Sequence, residues 1–199
     1  DDHAMREIEN ISQLPFVYHH LAFMPDVHGG MGMPIGGVLT TRDVVIPNAV
    51  GVDIGCGMCA VKTNILADSI PVNVLRKQIL SGIRACIPLG MVHHNVMQDE
   101  EFMPSGHDFE KLYVVSRQYV SARKQIGTLG GGNHFIELQR DDDGYLWIML
   151  HSGSRNLGKQ VGDYYNKVAK ELNRKFYSAV QSEWQMAFIP MGTKEFEAY

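Results

Sequence analysis

The clearest pattern of hydrophobic positions is a pair of β-forming runs, Asn133-His134-Phe135-Ile136-Glu137-Leu138 and Tyr145-Leu146-Trp147-Ile148-Met149-Leu150-His151. Between them Asp141-Asp142-Asp143-Gly144 has the composition of a tight turn. Read as a four-residue loop, it predicts a hairpin in which Arg140 faces Tyr145 and His134 faces His151. Directly opposed residues project to one face with Cα atoms about 4.5–5.5 Å apart, so the open end would carry two imidazoles side by side. A second hairpin is expected where Val38-Leu39-Thr40-Thr41 and Val44-Val45-Ile46 bracket Arg42-Asp43. Phe16 to Met24 reads as a buried strand running into a glycine-rich loop from Pro25 to Gly37.

Elsewhere the period lengthens. Residues 3–13 predict a short helix before Pro15. Leu75, Ile79 and Ile83 recur every four residues after Pro71, which predicts an amphipathic helix over 72–85. Phe109, Leu112, Tyr113 and Val120 mark another over 108–125, and Val161, Val168, Leu172 and Phe176 another over 158–180. Thr193 reads as the N-cap of a final helical turn. The short loops argue for antiparallel pairing, since parallel strands need longer crossovers. The expected fold class is α+β, with β-hairpins and mixed or antiparallel sheets covered by about three to four helices. With no repeat, low-complexity tract or break in composition, residues 1–199 read as a single unit. The lone turn at the end, too short to fold usefully, reads as part of a longer protein.

Composition adds limits. The chain is 45% hydrophobic and 20% charged, with a net charge of −4, as in an ordinary globular domain. There is no basic coat, so any nucleic-acid contact has to come through a local patch or a bound cation. No apolar run approaches the roughly 18 residues of a membrane span, and the first residues lack a secretory signal; the expected location is cytoplasmic. Three irregularly spaced cysteines give no disulfide framework and leave a thiolate available as a ligand.

The candidate chemistry concentrates in two places. In Val50-Gly51-Val52-Asp53-Ile54-Gly55-Cys56-Gly57-Met58-Cys59, one tight turn among glycines can aim Asp53 and Cys56 at a single point. With His134 and His151 they form an Asp/Cys/His/His set suited to zinc, manganese or cobalt, and a bridging thiolate would allow two ions. Taken singly, each has an ordinary reading: a turn-capping carboxylate, a small buried thiol, polar strand ends. Cys56-x-x-Cys59 also has the spacing of half a zinc ribbon or a redox pair, although no second cysteine pair accompanies it. Gly127 to Gly132 and Ser152-Gly153-Ser154-Arg155 rim the two imidazoles with backbone amides and a guanidinium, groups that suit phosphate oxygens. His93, His94 and His107, in the loop 86–107, read as solvated, as does the basic face Arg117, Arg123 and Lys124.

These blocks resemble the RtcB family of RNA-splicing and RNA-repair ligases. The match is carried by Met24-Pro25-Asp26-Val27-His28, Pro34-Ile35-Gly36-Gly37-Val38, Val50 to Met58, Gly127-Thr128-Leu129-Gly130, Gly132 to Glu137, and His151-Ser152-Gly153-Ser154-Arg155. The resemblance implies a ligase that joins RNA ends bearing a 2′,3′-cyclic phosphate or 3′-phosphate to 5′-hydroxyl ends, as in tRNA splicing and RNA repair. It implies GTP and two Mn2+ ions as cofactors and RNA as partner. Position by position, it makes Asp53, Cys56, His134 and His151 metal ligands. It makes Asn133, His134, Phe135, Ile136 and Glu137 the guanylate-binding segment, and Arg155 a phosphate contact. The family's guanylylated histidine and a further metal-binding histidine have no counterpart after Arg155, so this polypeptide is expected to carry only part of the active site and to be inactive alone. Gly29 and Met31 depart from the family's loop. The competing functions are a metal-dependent phosphoesterase acting on RNA cyclic phosphates and a non-catalytic metal-binding fragment.

Overall fold

A computed structural model describes all of residues 1–199. They fall into two compact units, one of residues 1–52 with 160–199 and one of residues 53–159. Every strand pair is antiparallel, in two two-stranded sheets and one three-stranded sheet, so the class is α+β. No helix is long and apolar enough to cross a membrane.

The first unit opens with helix α1 (Asp2–Ser12), whose N-cap Asp1 accepts from the Ala4 amide. Ile11 joins Leu14, Ile46 and Met186 in a fully buried apolar cluster. The buried Glu7 on the same helix is satisfied by the amides of Gly30 and Gly32 at 2.8 and 2.7 Å. Those amides belong to a stretch that the sequence reads as a loop. It is instead the tip of a long hairpin of β1 (Val17–Met31) and β2 (Met33–Thr41). Glycines hide a strand from pattern reading, because the partner satisfying their backbone is a distant helix. Nor is β1 buried at its start. Tyr18, His19 and His20 are exposed while Leu21 and Phe23 are half-covered, as on a sheet with one wet face.

The short strand β3 (Val44–Val45) does not pair back onto β2. It pairs with β7 (Ile189–Pro190), far along the chain, so the second expected hairpin is not formed. A one-turn helix α2 (Pro47–Val50) follows β3. Most of α6 (Leu157–Lys175) lies in this unit, and the final turn α7 (Lys194–Ala198) is capped by the Thr193 hydroxyl. The period predicts a helix to residue 180, but α6 stops five residues earlier. Tyr177 turns left-handed (φ 52°), Ser178 N–H donates to Asn173 C=O and Tyr177 N–H to Arg174 C=O, the bonds of a Schellman motif.

In the second unit the central sheet is ordered β4 (Gly57–Leu66), β6 (Tyr145–Ser152), β5 (Phe135–Arg140). The helix expected over 72–85 is a continuous helical stretch, α3 (Val72–Val74), a π-turn (Leu75–Ile79) and α4 (Leu80–Cys86). That expected over 108–125 is α5 (Tyr113–Gln125), preceded by a separate 3-10 turn at Phe109–Lys111.

The β5–β6 hairpin forms, but one residue out of the expected register. Asp141 pairs with Tyr145, so the loop is Asp142-Asp143-Gly144, and Gly144 N–H returns to Asp141 C=O with φ at 89°. This is a three-residue turn closed by a left-handed glycine. Across the ladder Phe135, not His134, faces His151.

Candidate metal centre

Asp53 and Cys56 are brought together by local geometry. Cys56 N–H donates to Asp53 C=O at 3.1 Å, closing a four-residue turn, and Gly55 at its third position has φ 88°, as a type II turn requires. The chain then enters β4, where Met58 pairs with His151. Cys59 points to the opposite face, so the two cysteines do not converge and the redox or ribbon reading of their spacing fails.

The one-residue slip would send His134 to the wrong face if it were a strand residue. It lies just before β5, outside the ladder, and its ring swings back to meet His151 edge-on with centroids 5.1 Å apart. Two glycines make the room. A Cβ on Gly153 would come within 2.5 Å of His134 Cε1, and one on Gly130 within 2.6 Å of its Nδ1. The glycines between the blocks thus form a slot for one imidazole.

The resulting cluster is tight. Cys56 Sγ lies 2.8 Å from His151 Nε2 and 3.5 Å from His134 Nε2, and the ligand atoms of all three fall within 4.8 Å of one another. Asp53 Oδ2 is 3.0 Å from His134 Nε2. Ligands held tetrahedrally at about 2.0–2.3 Å from an ion sit roughly 3.3–3.8 Å apart. Cys56 and His151 therefore need to open by less than about 1 Å to admit one, and Asp53, although it touches His134, falls outside the converging group of three. Sulfur, two imidazoles and a carboxylate fit a borderline divalent cation.

Protonation fits the same use. The Asn133 carbonyl can only accept, so the 3.2 Å contact from His151 Nδ1 places the proton there and leaves the Nε2 lone pair facing sulfur. Burial pushes the Cys56 thiol up and the neighbouring Asp53 carboxylate pushes it further. Burial also pushes Asp53 up, but hydrogen bonds from the Ser154 hydroxyl and amide, from Cys56 and from His134 outweigh it, and the carboxyl lies below its ordinary range. Without an ion the sulfur is a thiol beside an anion; a cation would displace its proton.

The other expected residues are placed less uniformly. Phe135 stacks edge-on against His151 at 5.7 Å. Side chains alternate along β5, so Ile136 faces away from Phe135 and Glu137, and Glu137 takes a hydrogen bond from Gln139. Asn133 to Glu137 therefore do not present one continuous face. Arg155 is half-buried. Its Nε donates to Thr128 Oγ1 at 2.7 Å and one Nη to Gly90 C=O at 2.8 Å, tying down the glycine-rich loop; its desolvation lowers its pKa. His93, His94 and His107 lie outside the cluster. Ser154, Thr128 and the Asn133 carbonyl gained roles that sequence reading did not assign. The only signal was the alternation of hydroxyls and glycines around the two histidines.

The family described as tRNA-splicing ligase RtcB matches residues 7–112 and 105–199. The chain belongs to the RtcB family. Among its relatives, the RNA-splicing ligase RtcB of Escherichia coli K12 is 35% identical over 210 aligned residues, covering 98% of this chain and 51% of that protein. The tRNA-splicing ligase RtcB of Thermococcus kodakarensis is 28% identical over 245 aligned residues, covering all of this chain and 50% of its own length. The chain thus spans about half the length of the curated RtcB relatives it matches.

Proposed function

We propose that this polypeptide supplies the Asp/Cys/His/His metal centre of a cytoplasmic, GTP- and manganese-dependent RNA ligase, joining 2′,3′-cyclic phosphate or 3′-phosphate RNA ends to 5′-hydroxyl ends. The observation that supports it is the convergence of Cys56, His134 and His151, drawn from segments up to 95 residues apart, within one family match. Bound there, one or two divalent cations would neutralise developing charge on phosphoryl oxygens.

The chain's own residues prepare that step. Asp53 stands against His134 Nε2, the nitrogen that would face the ion, and Ser154 holds Asp53 in place there. The Asn133 carbonyl fixes His151. Arg155 holds Thr128 and Gly90, so the glycine-rich loop keeps its shape beside the cluster. Its guanidinium is the group we assign to an RNA or nucleotide phosphate, and Asn133 to Glu137 the segment we assign to guanylate.

Cobalt reports on the centre directly. The 199-residue chain titrated with Co2+ should develop a thiolate charge-transfer band, and Cys56→Ala should remove it and weaken binding by more than about 100-fold. The whole polypeptide, given Mn2+, GTP and RNA halves with the two kinds of end, should join them only when both cofactors are present. Opening of the cyclic phosphate that needs metal but ignores GTP would replace the ligase by a phosphoesterase.

A further inference from the structure

The first unit holds a cavity of about 350 Å³ beside the end of α6, with no metal ligand among its lining residues. Lys170 and Arg174, one helical turn apart, stand at its wall with Gln181 and Gln185. No carboxylate lines it; of the two acids adjacent in sequence to lining residues, Glu183 takes the Ser182 hydroxyl, and Glu171, beside Lys170, is in no ion pair with either cation. Neither cation is in an ion pair, and neither glutamine amide is hydrogen-bonded within the protein. The wall itself is fixed. Asn173 is buried with both ends of its amide spent on the Phe188 backbone, at 2.6 and 3.2 Å.

Basic residues near a helix C-terminus are common because the last carbonyls attract them. Here three of the last four carbonyls are already taken. Leu172, Asn173 and Arg174 accept from the amides of Phe176, Ser178 and Tyr177. What remains is two cations and two amides around a hollow, with donors to spare and no acid to match them: the chemistry of an anion site.

We propose that this cavity is a phosphate subsite and, resting on the RNA-joining function above, that it takes an internal phosphodiester of an RNA strand. The side-chain amide signals of Gln181 and Gln185 are followed by NMR in the 199-residue chain. One titrant is a single-stranded oligoribonucleotide without terminal phosphates, the other inorganic phosphate. The oligonucleotide should shift both signals. Lys170→Ala with Arg174→Ala should weaken it about tenfold and reduce the dependence of log K on log salt by about 0.7, the value of one single-strand phosphate contact. Lys167→Ala with Lys175→Ala removes the same charge from the same helix outside the cavity and should change neither. All four substitutions are on exposed helix surface, and circular dichroism checks that the helix persists. Equal weakening by both pairs would overturn the subsite in favour of a diffuse basic surface. A response to inorganic phosphate with none to RNA would overturn the strand assignment. Silence towards both would remove the cavity while leaving the ligation assay, and the ligase reading with it, standing on their own.

Discussion

Each end of the β5–β6 hairpin is gathered by one aspartate, and the two keep different company. At the turn, Asp141 accepts from Lys62 Nζ and Trp147 Nε1, both at 2.8 Å, and from the Tyr145 amide at 2.7 Å. Its carboxyl is held well below the usual range, first by Lys62. At the open end, Asp53 accepts from Ser154 and His134 and stands beside a thiol. The first carboxylate is paired directly with a cation of the protein's own; the second is held by a hydroxyl, an amide and an imidazole, and the Arg155 guanidinium acts on it only from beyond ion-pair distance. A charge completed from within the chain closes the structure, and one left to be completed from outside makes a site.

The sharpest way to test this contrast is Gly153→Ala. The added methyl meets the His134 ring and nothing at the turn, so Co2+ affinity should fall by about 10–100-fold; unchanged affinity would show that the slot does not position the ring. Next comes Gly144→Ala. No heavy atom lies nearer than 3.7 Å to the new Cβ, so the cost is the left-handed backbone, about 1–2 kcal/mol in denaturant unfolding. Cobalt binding should be unaffected, and a parallel loss would mean that the two ends are coupled. The smallest effect is expected in acid. Since folding lowers the Asp141 pKa, the unfolded chain binds that proton more tightly, and the stability from this pair is present above about pH 4 and lost below it. Asp141→Asn should lower stability slightly at neutral pH and make the decline below pH 4 shallower, read from unfolding midpoints.

The sequence showed this contrast only partly. Asp141 to Gly144 announced a turn, and alternation announced the strands. The register was not readable, because a three-residue and a four-residue loop have the same composition, and Asp141 settles the choice by bonding Tyr145. The ligand set was legible despite the slip: a type II turn needs only Gly55 to aim Asp53 and Cys56, and His134 is freed from strand parity by preceding β5. Arg155 was found as a residue but not by its contacts, since Gly90 and Thr128 reach it only through tertiary structure. The pairing of β3 with β7 and the grip of Glu7 on the β1–β2 tip were hidden for the same reason.

The turn from Asp53 to Cys56 carries a hard oxygen and a soft sulfur on one rigid bracket, whereas His151 is mounted on the sheet and His134 on the segment just before it. Displacing that bracket moves both donors together, so the spacing between turn and strands, rather than any one ligand, would tune which divalent ion is preferred. Selection acting on the glycines beside the bracket could then retune the metal while every ligand stayed the same.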